Sequence, residues 1–480
     1  MQLSEIVIDN FRSIESVEFP ILAINDSNTY ALLGINESGK SSFLTAVHLI
    51  KEREIKYPED YFHQKKPVTV MFKYKVENEW LKEVLIEEFG YTDSMLQAMR
   101  VEYLYVISEY LPNAAHTFST RISIDGSLGE MRGFEIGEKG QILKSTDPER
   151  VSDLKELLES HLKNFIVDRI HKVVFWRSSK EYLLLDEINL VRFASRPYDT
   201  SVPLVNCFRL AGYSAEEIKP CVEQLSTAAT INNLQEKLSD KVTEHIKKVW
   251  PEHPVSIRFQ ISNGNISFLV EDDGVKYLVK TPGQRSDGFR QFISFLLTVS
   301  IENEHKELTN TILLIDEPEV HLHPPAQLNL LRELINVTSN NRGNIVVFAT
   351  HSNYLIDKDD IDRCFKVSKE GNERTTLSRI SKGYSSYAEV NYEVFGIPTN
   401  DYHNELYGFI EDVSPEKLNE LEKDRSWYNT KKEKKEQVSM SRYIRHSIHH
   451  PENKKNVMFT ESELEESIQI LRALKDTIDG

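Results

Sequence analysis

Cysteine is scarce in this chain of 480 residues: Cys207, Cys221 and Cys364 are far apart, and no C-x-x-C pair occurs. That excludes a disulfide framework and a cysteine-based metal centre. It fits a reducing compartment, so a cytoplasmic protein is expected. No apolar run approaches the ~20 residues that span a bilayer, and no membrane partner is expected. The opening Met1-Gln2-Leu3-Ser4-Glu5-Ile6 is a strand pattern with an acidic residue, unlike the basic-then-apolar start of a secretory signal. Positive charge is also short. With 58 Lys and Arg against 75 Asp and Glu, the formal net charge is −17, which excludes a uniformly basic, nucleic-acid-coating surface. A local basic patch stays open, because charge can be segregated by face. Internal repeats and low-complexity tracts are missing too. What remains has an ordinary globular composition and is long enough for two or three domains.

The most informative stretch present is Gly34-Ile35-Asn36-Glu37-Ser38-Gly39-Lys40-Ser41, which reads G-x-x-x-x-G-K-S. It follows the buried-strand run Tyr30-Ala31-Leu32-Leu33 and precedes a helical apolar spacing from Ser42 to Ile50, the setting of a phosphate-binding loop. Gly34 and Gly39 let the backbone fold tightly, so that the N–H groups of Asn36, Glu37, Ser38, Gly39 and Lys40 converge on a phosphate at a helix N-terminus. Lys40 is expected to reach the β- and γ-phosphates of ATP, Ser41 to bind Mg²⁺, and Ser42 to complete the cradle.

Three later segments carry matching chemistry. Thr311-Ile312-Leu313-Leu314-Ile315-Asp316-Glu317 is a buried strand ending in two carboxylates: Asp316 is placed to hold Mg²⁺, and Glu317 to polarise an attacking water. The bland reading makes Asp316 a cap for the turn before Pro318. Ile345 to Ser352 is another buried strand, ending in His351, which can donate to a γ-phosphate or simply be a satisfied core histidine. Ser286 and Gly288 stand at the start of the apolar helix around Phe292–Val299. They form either a second anion site or an ordinary N-cap.

Elsewhere, strands are expected around Leu3–Pro20, Val68–Val76, Val101–Ser108 and Phe118–Ile124. Helices are expected over Pro148–Ile166 and Ile231–Trp250, the latter with a core-packing stripe at Leu234, Leu238, Val242, Ile246 and Val249. Asn263-Gly264 and Asp273-Gly274 signal hairpin turns. Lys431 to Glu436 reads as an exposed, mobile charged segment. Thr460 with Glu463 forms a capping box that opens a last helix buried along Leu464, Ile468, Leu471 and Leu474.

Taken in order, these four motifs resemble the ABC-type ATPase heads of the RecF, SMC and OLD families. Ile315-Asp316-Glu317-Pro318-Glu319-Val320-His321-Leu322-His323-Pro324 is similar to the carboxylate strand and loop of OLD-like ATPases, and Asn10-Phe11-Arg12-Ser13-Ile14 and Arg285-Ser286-Asp287-Gly288-Phe289 look like the same group. The resemblance implies an α/β fold: a P-loop NTPase of ABC/SMC-head type with a mixed sheet, an α/β insertion between phosphate loop and signature segment, and a C-terminal helical region. It implies a head over 1–370 with a helical insertion at about 196–255, and a partner-docking or effector region over 371–480. It also implies two heads sandwiching two ATP molecules, each held by one phosphate loop and by Ser286 and Gly288 of the other copy, hence a head-to-head dimer or higher even oligomer. Asp287 and Phe289 depart from the Gly and Gln common in transporter ATPases, and Gln64 is a candidate for the Mg²⁺-sensing glutamine.

The insert carries no sustained heptads, unlike SMC and Rad50 proteins. After Leu355 no strand-borne glutamate with a later D-x-D pair follows, as a TOPRIM nuclease needs; Asp357, Asp359, Asp360 and Asp362 read as solvated surface. The profile resembles the ATPase subunits of bacterial anti-phage systems such as Septu and PARIS, which implies a separate effector nuclease as partner. Two alternatives stay open. Arg445 to His450 fits R-x4-H, resembling the metal-free catalytic motif of HEPN ribonucleases, with His450 as acid/base and Arg445 stabilising charge. A RecF-like repair ATPase would instead bind DNA across paired heads.

Overall fold

The computed structural model describes the chain apart from residues 53, 56, 91–99, 113–116, 126–131, 137–141, 145–151, 154–158, 160–161, 164, 167–168, 177–181, 251–253, 276–277, 305–308, 321, 340–341, 372, 381–385 and 480. It divides into two compact units, Met1–Arg379 and Ile380–Gly480.

In the first unit, alternating side chains form β1 (Gln2–Phe11) and β2 (Ile14–Pro20), an antiparallel pair. Their tight turn sets Asn10 and Arg12 at φ 64° and 51°. Asn10 is buried because its amide staples a second loop: Oδ1 accepts from the His63 N–H at 2.6 Å, and Nδ2 donates to the Lys66 carbonyl at 2.8 Å. β4 (Val68–Lys75), β5 (Arg100–Tyr110) and β6 (Thr117–Asp125) complete a five-stranded sheet in the order β2-β1-β4-β5-β6.

The second sheet joins β3 (Thr29–Leu33), β7 (Lys172–Trp176), β8 (Thr311–Asp316), β9 (Ile345–Thr350), β10 (Cys364–Glu370) and β11 (Arg374–Arg379) in the order β7-β8-β9-β3-β10-β11. All its pairings are parallel except the β10–β11 hairpin, so the sheet is mixed. Strands buried on both faces must be apolar throughout, which is why β3, β8 and β9 read as continuous apolar runs. The register sets Asp316 beside Ala349 and Thr350 beside Leu33, so the carboxyl ends of β8, β9 and β3 converge. Helix α1 (Lys40–Glu52) leaves that edge and buries Phe43, Leu44, Ala46, Val47, Leu49 and Ile50. Phe19 locks the layers, its ring centroid lying 5.4 Å from Tyr30, 5.1 Å from Phe43 and 4.6 Å from Phe365. Truncating such a ring to alanine costs roughly 3–5 kcal/mol.

Between α1 and β8 lie the helices Pro197–Thr200, Val202–Leu210, Ala215–Glu223 and Ala228–Val249. The last packs Leu234, Leu238, Val242 and Ile246 inward. Its polar side chains meet the strand Val255–Ser262, Ser239 Oγ accepting from Phe259 N–H at 3.0 Å. The turn Asn263-Gly264, at φ 51° and 77°, joins that strand to Asn265–Asp272, as the hairpin signal implied. Helices α2 (Asp287–Glu304) and α3 (Pro324–Thr338) flank the carboxylate strand in sequence.

Three expectations need correction. Most of the helix expected over Pro148–Ile166 lies outside the described residues; Ser152–Asp153 form a short strand, whereas Glu159, Leu162, Lys163, Phe165 and Ile166 are helical, so the expectation fails at its start and holds at its end. The charged segment Lys431–Glu436 is the turn and second strand of a hairpin, Arg425–Asn429 with Lys434–Val438, and Asn429 Oδ1 accepts from Lys431 N–H at 3.0 Å. Asp357 and Asp360 are not merely solvated: they bracket the buried Arg363 at 3.0 and 3.2 Å. The sequence pattern shows four carboxylates in a polar turn and gives no sign of the cation they neutralise.

The second unit packs the helices Asn400–Val413, Met440–His449 and Glu461–Asp479 around Tyr402, Leu406, Ile410, Ile444, Leu464, Ile468 and Leu471. Thr460 and Glu463 form the capping box, with Thr460 N–H donating to Glu463 Oε2 at 2.7 Å.

Candidate functional site

The loop from Gly34 to Gly39 connects β3 to α1 at the converging strand ends. Its shape depends on both glycines. A Cβ on Gly34 would lie 2.3 Å from the Val367 carbonyl oxygen. Gly39 sits at φ 110°, and a Cβ there would lie 2.2 Å from Thr375 Oγ1. Thr375 is a brace: its hydroxyl donates to the Ser38 carbonyl at 3.0 Å and lies 2.8 Å from Ser13 Oγ. The phosphate loop, the β1–β2 turn and β11 are thereby tied together.

Ser13, Asn36, Glu37, Ser38, Gly39, Lys40, Ser41, Ser42, Glu317, His351 and Lys369 line a cleft of about 320 Å³. Lys40 Nζ donates to the carbonyls of Gly34 and Ile35 at 2.9 and 3.0 Å. Burial pulls the Lys40 ammonium below its ordinary range, and Glu317, Asp316 and Glu319 oppose that pull. The Ser41 hydroxyl donates to Asp316 Oδ1 at 3.1 Å. Burial raises the Asp316 carboxyl above the usual range, against the lowering effect of that hydrogen bond. His351 Nε2 lies 3.3 Å from Glu317 Oε1. Glu317 itself holds a left-handed backbone, φ 47°, where β8 breaks into the next turn.

The oxygen donors of Ser41 and Asp316, side by side on the cleft wall, suit a hard divalent cation such as Mg²⁺. Ser38 Oγ, buried in the loop without a hydrogen-bond partner, suits a phosphate oxygen. The residue set fits a nucleotide triphosphate with its metal.

The structure therefore gathers the phosphate loop, Asp316, Glu317 and His351 in one place. Ser286 does not line that cleft. Ser286 caps α2, accepting from Phe289 N–H at 3.3 Å. It lines a separate cavity of about 290 Å³ with Trp250, Lys280, Leu322 and His323. Gln64 is exposed and does not line the nucleotide cleft; His321 lies outside the described residues. In the tail, Arg445 is held by Asn404 at 3.2 Å and sits 5.0 Å from the Tyr407 ring, whereas His450 Nδ1 is 3.2 Å from Glu452. Each has its own partner, and no contact links the two among the described residues.

Sequence reading missed four residues here. Glu319 is buried and its Oε1 accepts from the His351 N–H at 2.8 Å, fixing where the histidine leaves β9. Ser13 and Lys369 line the cleft, and Thr375 braces its loop from β11; Ser13 alone had a signal, as a member of the Asn10–Ile14 motif.

The AAA ATPase domain family matches residues 1–356 of this chain. The chain belongs to that family. Among curated relatives, the AAA ATPase chain is 21% identical to the Old nuclease of Escherichia phage P2 over 430 residues, 84% of this chain and 66% of that protein. It is 29% identical over 139 residues to an uncharacterized protein of Methanocaldococcus jannaschii, covering 28% of this chain and 35% of that one. It thus spans less than two thirds of the length of either relative. Solved structures with a similar fold include an Smc head domain derived from Pyrococcus furiosus, bound to the C-terminal domain of ScpA (TM-score 0.41, 13% identity, 79% of this chain and 96% of that one). Another is the SMC head domain from Thermotoga maritima (TM-score 0.38, 12% identity, 79% and 100%). Among the described residues, no helix is long and apolar enough to cross a membrane.

Proposed function

We propose that this AAA ATPase chain binds and hydrolyses ATP with Mg²⁺ as a subunit of a bacterial anti-phage defence complex, where paired copies act as a scaffold that controls a separate effector nuclease. The observation that carries the ATPase reading is the 3.1 Å contact of Ser41 with Asp316, which sets a metal-binding oxygen pair at the mouth of the phosphate loop. Mg²⁺ held there by Ser41 and Asp316 supplies charge neutralisation to the phosphate oxygens. The loop amides and Lys40 grip the β- and γ-phosphates. Glu317 accepts the proton of the attacking water, and His351, 3.3 Å from it, donates to the γ-phosphate.

The paired-head reading is supported by Ser286, which lines a cavity separate from the cleft at its own chain's phosphate loop, just before α2. A second copy would present Ser286 and Gly288 to the nucleotide. The link to nuclease chemistry is supported by similarity to the Old nuclease of Escherichia phage P2.

The test has two arms. Purified wild-type chain should hydrolyse ATP, Lys40→Ala should not, and Ser286→Arg should bind ATP yet lose pairing-dependent turnover. No turnover by the wild type overturns the ATPase reading, and normal turnover by Ser286→Arg overturns the pairing. Deleting the chain from its native host should raise the plating efficiency of phage; unchanged plating across a broad phage panel overturns the defence role.

A further inference from the structure

In the second unit, a cavity of about 260 Å³ opens between the strand Arg425–Asn429, the end of the helix Met440–His449 and the loop that follows it. The loop is built, not slack. Tyr428 N–H donates to Asn456 Oδ1 at 2.7 Å, and the Tyr428 carbonyl accepts from Asn453 Nδ2 at 2.9 Å. The Tyr443 hydroxyl donates to the Val457 carbonyl at 2.6 Å.

Two polar atoms in this cavity's lining residues are left without partners: Ser447 Oγ, on a residue only 5% exposed, and Asn453 Oδ1. Native structures rarely leave such atoms orphaned, and a site that does is poised for a ligand that answers them. Asn453 Oδ1 is an acceptor and calls for an N–H; Ser447 can donate or accept. Around them stands an apolar wall of Trp427, Pro451, Val457 and Met458, the last two 81% and 59% exposed. Lys454, also in the lining, makes no ion pair among the described residues. The surrounding sequence is the electrostatic exception of the chain. Between Arg425 and Met458 there are nine Lys and Arg against three Glu, a formal surplus of six positive charges in a protein whose total is −17.

We propose that this cavity takes an unpaired nucleobase of single-stranded nucleic acid. A base has flat apolar faces for Trp427 and Met458, and an edge with N–H and carbonyl groups for Asn453 and Ser447. Its chain carries phosphates for Lys454 and the neighbouring cations. A duplex cannot enter, because its base edges are already paired. An apolar peptide would suit the wall but not the surplus charge. This site is separate from the ATPase chemistry and stands without it.

The test is fluorescence anisotropy on the full chain without nucleotide, using labelled 12-nucleotide RNA and DNA strands of mixed sequence and their duplexes. At least one single strand should bind about tenfold or more tighter than its duplex. Ser447→Leu, which fills the cavity, and the exposed Lys454→Glu should each weaken single-strand binding about tenfold or more while leaving ATP turnover unchanged. Equal affinity for single strand and duplex overturns the proposal, as does wild-type affinity in Lys454→Glu together with Ser447→Leu. A poly-glutamate peptide that displaces the strand at equal charge concentration also overturns it, because it reduces the surface to plain attraction of anions.

Discussion

Thr375 Oγ1 donates to the Ser38 carbonyl at 3.0 Å, so a residue 337 positions downstream holds the phosphate loop in shape. The same oxygen would lie 2.2 Å from a Cβ at residue 39, whose φ is 110°. Gly39→Ala must therefore displace the loop or the brace. ATP affinity, measured by calorimetry, should fall at least tenfold. Thr375→Val keeps the volume but loses a hydrogen bond worth about 1 kcal/mol, and should weaken ATP by roughly fivefold. Normal binding by Gly39→Ala would mean that the loop seen here is not the one that holds the nucleotide.

In the proposed hydrolysis Glu317 and His351 take different parts. Glu317→Gln should keep ATP binding and lower single-turnover hydrolysis by about 10²–10⁴, the usual range for losing a general base. His351→Ala should cost less, because it removes one hydrogen bond to the phosphate. A Glu317→Gln enzyme with undiminished single turnover would remove Glu317 from the water-activating role.

The metal pair has a pH signature. Burial raises the Asp316 carboxyl and the Ser41 hydroxyl opposes this. The ionised form is the metal-binding form. Mg²⁺-dependent ATP affinity should thus fall with acidification at a higher pH than an ordinary aspartate would allow, and Ser41→Ala should move that midpoint higher still. For stability the sign is opposite. The folded state holds this proton more tightly than the unfolded state, so the group's contribution declines as pH rises through that window. Titration of ATP binding at fixed Mg²⁺ reads the first effect; a midpoint unmoved in Ser41→Ala would contradict it.

Two buried histidines set acid sensitivity in each unit. Burial lowers His171 to about 4 and His403 to about 4. Below about pH 6.5 the unfolded chain gains a proton that the folded chain refuses until about pH 4. Stability is therefore lost as pH falls across that interval, by up to about 3 kcal/mol for each group. Urea midpoints measured at pH 7 and pH 5 should drop for both units. A midpoint independent of pH would show that these imidazoles are not the sensitive groups.

The family and the centre of the site were legible because their chemistry is local. Gly34 to Ser41 is one contiguous string, and Asp316, Glu317 and His351 each end an apolar run whose length betrays a strand buried on both faces. The supporting residues were not legible. Lys369 lines the cleft and Thr375 braces its loop only because distant strands pair, and Glu319 looks like any acidic loop residue until its carboxylate is found on the His351 amide. Lys431 to Glu436 misled for a related reason. Charge and poor strand propensity argue for mobility, but the hairpin is fixed by its partner strand and by Asn429, not by its own composition. The helix expected over Pro148–Ile166 starts too early, because leucine spacing does not show that Ser152–Asp153 pair with a strand; Glu159, Leu162 and Ile166 are helical as expected.

The twisted backbone at Glu317 sets durability against turnover. At φ 47° a glycine rests without steric penalty, whereas a side chain bearing a Cβ costs of order 1 kcal/mol. Glu317→Gly should melt later than the parent while doing no catalysis. A laboratory selection for heat resistance alone would then be drawn toward the very position proposed to activate water.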